Sequence, residues 1–331
     1  MREQESPGTS AEVSWTVDGT TVDGTLVVPA GTGPFPAVVL VAGSGPTDRD
    51  WNTPLLPGTN GSARLLAGAL AGAGFASLRY DKRAAGPRAR ENMQSLIGKV
   101  SMQSHLDELA GAVGILAGDG AIRADRIFAV ANSEGTLHAL NYQVGDPAIP
   151  LAGLVLIAPP GRSVGAVARA QVAEQFAAAP GAAEMLARYD AAIARFAAGE
   201  TFAPDPTLPP PVQQLLQGLM TPANLPFARE LWTADAAGPL GRVAAPVLVI
   251  IGKKDIQVDW QADGEPLRRA AAARPDVAFL FPDDANHVLK HEARPRAGLV
   301  AAEVLAGYND PAARLDPLAL RGLLDWLIAR A

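Results

Sequence analysis

Six short, uninterrupted apolar runs constrain the fold of this chain most strongly, because each is followed by a stretch of helical character. Apolar runs without alternation are typical of strands that are covered on both faces of a parallel sheet. Strands that alternate with helices predict right-handed crossovers and a doubly wound α/β architecture. The runs are PAVVLVAG (36–43), GFASLRYD (74–81), RIFAVA (126–131), AGLVLIAPP (152–160), PVLVIIG (246–252) and VAFLFPD (277–283). Alanine and leucine content and apolar periodicity predict helices at 61–73, 103–118, 135–144, 262–273 and 316–330.

Two alternating segments precede these runs and flank the pair Asp18-Gly19. Alternating segments joined by Asp-Gly are a strong signal of a β-hairpin. We therefore expect a mostly parallel sheet with an antiparallel hairpin at its N-terminal side.

More than eighty residues without a strand pattern separate the run at 152–160 from the run at 246–252. They contain the alanine-rich segments 163–180 and 181–199 and a proline-rich break at 202–214. A structureless loop of this length is uncommon in a compact domain, so the segment is interpreted as helical. The predicted organisation is a core of residues 1–160 and 241–331 with an inserted helical cap, or lid, at residues 161–240.

Composition narrows the possible partners. The formal net charge is −6 and no basic stripe is present, which argues against nucleic acid as a partner. The stretch MREQESPGTSAEVSW has no apolar signal core, and no run approaches the ~18 apolar residues of a membrane span, so we expect a cytoplasmic protein. The chain has no cysteine, which excludes disulfides, thiolate metal sites and a cysteine nucleophile. We expect no metal and no organic cofactor, and a homodimer remains possible.

A serine lies where the run at 126–131 meets the helix at 135–144, in the sequence FAVANSEGTLH. Ser133 could be an ordinary helix N-cap, because serine is favoured there. It could also be a nucleophile, because ANSEG matches the GxSxG elbow at Ser133 and Gly135 and departs from it at Ala131. A serine nucleophile needs a histidine base and an acid that orients the base, in the chain order Ser, Asp or Glu, His.

Asp255 and His287 occupy the positions that this order requires. Asp255 follows the run PVLVIIG in the sequence KKD, and His287 follows the next run in the sequence DANH. Because the carboxyl ends of parallel strands meet at one edge of the sheet, we expect both side chains beside Ser133.

The other acids and histidines fit these roles less well. Asp259 is the nearest rival acid but lies deeper in its loop, and Asp283 and Asp284 are interpreted as polar residues of the loop that carries His287. We expect His291 to be a solvated helix residue, and His105 and His138 to be structural. A further set of charged residues near two site loops is expected to brace those loops through ion pairs: Asp48, Arg49, Asp50, Asp81, Lys82 and Arg83.

Acyl transfer also needs hydrogen-bond donors for the developing oxyanion. One predicted donor is the backbone N–H of Glu134, at the start of the helix after Ser133. The second is predicted in the loop AGSGPTDRD (42–50) as the N–H of Ser44, with Gly45 as the neighbouring alternative. Taken alone, that loop could also be a plain Gly/Pro turn.

Together these motifs resemble bacterial α/β hydrolases of the serine carboxylesterase and S33 aminopeptidase-like (dienelactone hydrolase-like) group. The matching segments are GSGPTDRD (43–50), RYDKR (79–83), ANSEG (131–135), GKKD (252–255) and NH (286–287). The resemblance implies an α/β hydrolase fold, a Ser133–His287–Asp255 triad and cleavage of a small-molecule carboxylic ester through an acyl-enzyme. Relatives usually carry glycine at position 131 and a glycine-rich continuation after position 83.

The sequence constrains the substrate less than it constrains the catalytic residues. Thioesters, lactones and peptides with a free N-terminus use the same triad, whereas haloalkane dehalogenation would require aspartate at position 133. Two other classes remain as alternatives: a ligand receptor with a hydrolase fold, and a dinucleotide-binding protein, although GSGPTD does not complete GxGxxG. Apolar cap residues are candidates to line the cleft, although packing within the cap is the preferred interpretation for each: Phe176, Leu186, Phe196, Leu216, Met220, Phe227 and Leu231.

Overall fold

Eight strands form one sheet in the computed structural model, which describes residues 8–55 and 58–331. They are β1 (Gly8–Val17), β2 (Thr20–Pro29), β3 (Phe35–Val41), β4 (Ala76–Tyr80), β5 (Ile122–Asn132), β6 (Gly153–Ile157), β7 (Val247–Ile250) and β8 (Val277–Leu280). Their spatial order is β1-β2-β4-β3-β5-β6-β7-β8. The pairs β1–β2 and β2–β4 are antiparallel and all other pairs are parallel. The predicted mostly parallel sheet is confirmed; residues 1–7, which belong to the predicted core and the N-terminal stretch, lie outside the described residues.

The predicted hairpin is confirmed at Asp18 and Gly19. Both residues have positive φ, 48° and 76°, as a two-residue type I′ turn requires. The turn aligns Val17 with Thr20 and sets a register that continues to Gly8 and Pro29.

Twelve α-helices are present in the described residues. Five correspond to the predicted helices: α1 (Ser62–Gly72), α3 (Met102–Gly118), α4 (Glu134–Val144), α10 (Gly264–Ala270) and α12 (Pro317–Ile328). Two short helices were not predicted, α2 (Ala89–Leu96) and α11 (Ala301–Tyr308). Each is about two turns long, which is too short for apolar periodicity to stand out.

The segment between β6 and β7 is helical, as predicted. It contains α5 (Val164–Gln175), α6 (Ala182–Ala197), α7 (Pro210–Leu219), α8 (Leu225–Thr233) and α9 (Ala237–Leu240). Helix α7 begins at Pro210, inside the predicted proline-rich break at 202–214, at a position that tolerates proline because its N–H would have no helical partner. Part of the segment has its own apolar cluster, centred on Val172, Tyr189, Leu208, Val212 and Leu216. Within the described chain, no helix combines the length and the apolar character that a membrane crossing needs.

The strand order reverses at β3. The chain passes from β3 to β4 on one side and then crosses back to β5 on the other side. Right-handed crossovers in opposite directions place the connecting helices on opposite faces of the sheet. A crevice therefore opens between the carboxyl ends of β3 and β5, which is where ligands bind in open α/β sheets.

Candidate active site

Ser133 occupies a sharp turn between β5 and α4. Its backbone dihedral angles are φ 52° and ψ −122°, which are uncommon for a residue with a side chain and mark local strain. The turn is held because the N–H of Ser133 donates to the carbonyl of Ile157 at 2.8 Å and Thr136 donates to the carbonyl of Ser133. The Ser133 hydroxyl accepts no capping hydrogen bond from any N–H of the described helix α4. The N-cap interpretation therefore finds no support in the geometry.

Small neighbours allow this turn to lie against the loop after β3. A Cβ on Gly135 would be 2.5 Å from the carbonyl oxygen of Ala42 and 2.8 Å from that of Val41. Gly135 is thus required by close approach of two backbones. Ala131 is fully buried inside β5, where its partners are Val41 and Leu156. Since this position belongs to a regular strand, alanine fits where relatives usually carry glycine.

Asp255 and His287 are brought together by the loops after β7 and β8. The distance from His287 Nδ1 to Asp255 Oδ2 is 2.8 Å, and Asp255 has no exposed surface. The other carboxylate oxygen of Asp255 accepts backbone N–H groups of Gln257 and Val258 at 2.7 and 3.0 Å. Asn132, a residue that the sequence analysis did not assign, donates from Nδ2 to the carbonyl of His287 at 2.9 Å. His287 is therefore held through its ring, by Asp255, and through its backbone carbonyl, by Asn132.

The rival residues have other partners. Asp259 pairs with Arg296 at 2.8 Å. His291 is exposed, as expected, and lies 3.2 Å from Asp316, but it belongs to an isolated β-bridge with Ala285 and not to a helix. The two aspartates before His287 form ion pairs with lysines of the preceding loop: Asp283–Lys253 at 2.7 Å and Asp284–Lys254 at 3.5 Å. Among these acids, Asp255 is the one that contacts His287.

Ser133 and His287 line one cavity of about 140 Å³ at the crevice between β3 and β5. Part of its wall comes from α11, through Leu305 and Tyr308, and the Tyr308 ring is stacked 6.4 Å from the His287 ring. Burial raises the pKa of Tyr308, and the carboxylate of Asp255 adds to that effect. The remaining lining residues are Gly43, Ser44, Thr47, Trp51, Thr53, Asn60, Asn132, Gln257 and Val288.

The cavity wall, so far as the described residues form it, includes none of the seven apolar cap candidates. Several pack within the insertion, and Phe227 packs edge-on against His105, with ring centroids 4.8 Å apart. A larger open cavity of about 440 Å³ lies among α5, α6 and α8 and shares no residue with the cavity at Ser133. Helix α11 was not predicted to form part of the wall, because its sequence carries no chemical motif.

The backbone N–H groups of Ser44 and Glu134, both near Ser133, have no acceptor among the described residues. Ser44 lines the cavity, whereas its neighbour Gly45 does not. Glu134 is the first residue of α4, where unpaired N–H groups and the helix dipole favour an anion.

A buried ion pair joins the two segments that carry these N–H groups. Lys82 Nζ is 2.7 Å from Glu134 Oε1 and donates to the carbonyl oxygen of Gly43 at 2.6 Å. Lys82 is 5% exposed and Glu134 is 3% exposed. Burial alone would raise the pKa of Glu134, but the ammonium of Lys82 and the hydrogen bond to His138 outweigh it and hold that pKa far below its usual range. Glu134 is therefore a carboxylate.

The other expected braces are also present. Arg49 pairs with Asp81 at 2.7 Å, and Arg79 pairs with Asp50 at the same distance. Asp48 accepts the backbone N–H groups of residues 50 and 52, at 2.9 Å each. The two ion pairs fasten the loop after β3 to β4 and to the loop that follows it, whereas the hydrogen bonds of Asp48 stay within its own loop.

Arg83 and two histidines extend the buried polar network that includes Lys82 and Glu134. Arg83 pairs with Glu108 at 2.8 Å, and the pKa of Glu108 falls to about 2 because His105 and Arg83 outweigh the effect of its burial. The ring of His105 is 4.7 Å from that of His138, and burial lowers the pKa of His138 to about 4. Both histidines are buried, which agrees with the structural role expected for them.

Within residues 8–55 and 58–331, one set of side chains could hold a metal ion: His105, Glu134 and His138. Their ligand atoms lie within 4.8 Å of one another. The Glu134 carboxylate is already paired with the Lys82 ammonium at 2.7 Å, and a metal ion beside it would be repelled by that charge. The arrangement therefore favours an ion-pair network over a metal centre.

Comparison with known proteins adds a second line of observation. A sequence model of the alpha/beta hydrolase family matches residues 38–302. Esterase EstD of Thermotoga maritima is 28% identical over 283 residues, which are 86% of this chain, and the chain spans 61% of that protein's length.

Two solved structures share the fold. The Pyrococcus furiosus esterase Pf2001 has a TM-score of 0.57 at 17% identity, covering 98% of this chain and 91% of its own. The alpha/beta hydrolase GrgF from Penicillium sp. sh18 has the same TM-score at 16% identity, covering 97% and 99%. The α/β hydrolase fold predicted from the motifs is thereby confirmed. Because the family match extends over more than half of the residues, the chain belongs to the alpha/beta hydrolase family.

Proposed function

We propose that the protein is a serine hydrolase that cleaves a small-molecule carboxylic ester through an acyl-enzyme. The observation that carries this proposal is the 2.8 Å contact between His287 Nδ1 and buried Asp255, with His287 and Ser133 on the wall of one cavity. The strained turn at Ser133 adds support, because a nucleophile elbow has this geometry. The name of EstD, an esterase, favours an ester over the thioesters, lactones and peptides that the same triad could cleave.

In the proposed mechanism, His287 Nε2 takes the proton of Ser133 as Oγ attacks the ester carbonyl. Asp255 keeps the Nδ1 proton in place and stabilises the imidazolium that forms. The N–H groups of Ser44 and Glu134 stabilise the oxyanion, and His287 then protonates the leaving alcohol. Water hydrolyses the acyl-enzyme with His287 again as base.

The small cavity supports a short acyl group. Its volume of about 140 Å³ is well below the roughly 300–1,000 Å³ of sites for drug-sized ligands. We further propose that residues 161–240 form a cap inserted in a core of residues 1–160 and 241–331, while α11 supplies part of the apolar wall of the cavity at Ser133.

A fluorophosphonate probe tests the proposal, because it reacts with an activated serine. We expect Ser133→Ala and His287→Ala to abolish labelling, and Ser133→Ala to lower kcat for p-nitrophenyl acetate by roughly 10⁴ to 10⁶. The matched control is Ser101→Ala, because the Ser101 side chain does cap α3 and accepts the N–H of Ser104. That control should lose about 1 kcal/mol of folding stability and keep its labelling.

Persistent labelling or most of the esterase activity in a folded Ser133→Ala protein would end the proposal. A series of p-nitrophenyl acetate, butyrate and octanoate then tests the acyl pocket. We expect kcat/KM to fall from acetate to octanoate; a preference for octanoate would contradict the assignment of a small pocket.

A further inference from the structure

Lys82 connects the two segments that carry the proposed oxyanion donors. Its ammonium contacts the Gly43 carbonyl, in the loop after β3, and the Glu134 carboxylate, in the first turn of α4. Lys82 itself follows β4, so one side chain joins the loops after β3 and β4 to the first turn of α4.

The Gly43 carbonyl belongs to the same peptide unit as the Ser44 N–H. In a planar trans peptide these two groups point in opposite directions. A hydrogen bond of 2.6 Å from Lys82 to the Gly43 oxygen therefore orients the Ser44 N–H, and Thr47 Oγ1 makes a longer contact of 3.4 Å with the same oxygen. Gly43 also lies close to the elbow, because a Cβ there would be 3.3 Å from Cβ of Ser133.

The charge of Glu134 gives Lys82 a second effect. Glu134 follows the nucleophile directly, and its carboxylate is buried near the place where negative charge would develop. A lone carboxylate there would repel an oxyanion, and the ammonium at 2.7 Å compensates it.

We propose that Lys82 is a positioning residue of the oxyanion hole: anchored by Glu134, its ammonium holds the Gly43–Ser44 peptide so that the Ser44 N–H faces the reacting carbonyl oxygen. This inference rests on the proposed serine hydrolase function. It predicts that Lys82 stabilises the transition state and contributes little to ground-state binding.

The test compares Lys82→Met with Lys82→Cys before and after alkylation by 2-bromoethylamine. The chain has no cysteine, so the introduced thiol is the single site of alkylation, and the product restores an ammonium at the length of lysine. Wild-type protein treated identically corrects for the unfolding and refolding that exposes the thiol. The matched control is Arg83→Met, which breaks the adjacent buried ion pair with Glu108 at 2.8 Å without contact to Gly43.

For p-nitrophenyl acetate, we expect Lys82→Met to lower kcat by about 10- to 100-fold, somewhat less than complete loss of one oxyanion donor, with KM within about threefold. Inhibition by a trifluoromethyl ketone should weaken by a similar factor, because its adduct with serine carries the oxyanion. Aminoethylation of Lys82→Cys should restore most of kcat. Arg83→Met should lower the melting temperature and leave kcat nearly unchanged.

Three results would overturn the inference: kcat near wild type in folded Lys82→Met, an equal loss of kcat in Arg83→Met, or aminoethylation that restores the melting temperature and not kcat. If Lys82→Met does not fold, the double variant Lys82→Met/Glu134→Gln removes both buried charges and must still show the loss. Wild-type activity in that double variant would also overturn it. Failure of the proposed serine hydrolase function would give a different result. Wild-type protein would then not react with the fluorophosphonate at Ser133, and the proposed role of Lys82 would also be wrong.

Discussion

Replacement of Asp255 by asparagine tests the proposed role of the acid with almost no change in shape. Asp255 Oδ1 accepts two backbone N–H groups, from Gln257 and Val258, while Oδ2 faces His287 Nδ1. An asparagine keeps both backbone hydrogen bonds if its oxygen takes the place of Oδ1. Its NH₂ group then faces Nδ1 and can only donate, which forces the His287 proton onto Nε2.

That tautomer cannot accept a proton from Ser133. Turning the amide around would leave two N–H groups of the loop without an acceptor, at a cost of about 1–3 kcal/mol each. We therefore expect Asp255→Asn to lower kcat by about 10⁴, equivalent to about 5.4 kcal/mol in the activation barrier. The melting temperature should change little, because the backbone hydrogen bonds survive.

The assay is steady-state hydrolysis of p-nitrophenyl acetate, with near-UV circular dichroism to establish that each variant is folded. Asp259→Asn is the matched control, because Asp259 also accepts two backbone N–H groups but pairs with Arg296. It loses a partly exposed ion pair worth about 0–1 kcal/mol, so kcat should stay within about fivefold of wild type. A folded Asp255→Asn enzyme within tenfold of wild type would refute the reasoning, as would an equal loss in Asp259→Asn.

Two further predictions concern stability. Gly135→Ala places a Cβ 2.5 Å from a backbone oxygen that cannot move aside, so we expect the free energy of unfolding in urea to fall by about 3 kcal/mol or more. The control is Gly68→Ala, in the middle of α1, where a Cβ meets open space. Its free energy of unfolding should rise by about 0.5–1 kcal/mol. Equal stabilities for these two variants would contradict the close approach at the elbow. Burial lowers the pKa of His138 to about 4, below its value of 6.5 in the unfolded chain, so between pH 6.5 and 4 the unfolded state alone binds the proton. Stability should therefore fall as the pH falls through this window, by at most about 3 kcal/mol, and His138→Gln should flatten the dependence. Identical slopes of unfolding free energy against pH in wild type and His138→Gln would disprove this role.

The sequence predicted those parts of the molecule that depend on near neighbours. The hairpin turn requires positive φ at two consecutive residues, and Asp18-Gly19 encodes that requirement locally. Uninterrupted apolar runs identified the parallel strands, because their side chains are covered on both faces. The positions of Ser133, Asp255 and His287 followed from one rule, that side chains just after parallel strands meet at the same edge of the sheet.

Apart from the contact between Asp255 and His287, only the tertiary structure decided which distant groups touch. Asn132 and the His287 carbonyl are 155 residues apart, and Lys82 and Gly43 are 39 residues apart. No local pattern encodes these contacts, because they depend on the strand order and on the reversal at β3. The cavity wall shows the same limit, since the two-turn helix α11 lines it and the apolar cap candidates do not. Short-range hydrogen bonding and apolar patterning specify the elements, whereas contacts across loops follow from how the sheet brings its strand ends together.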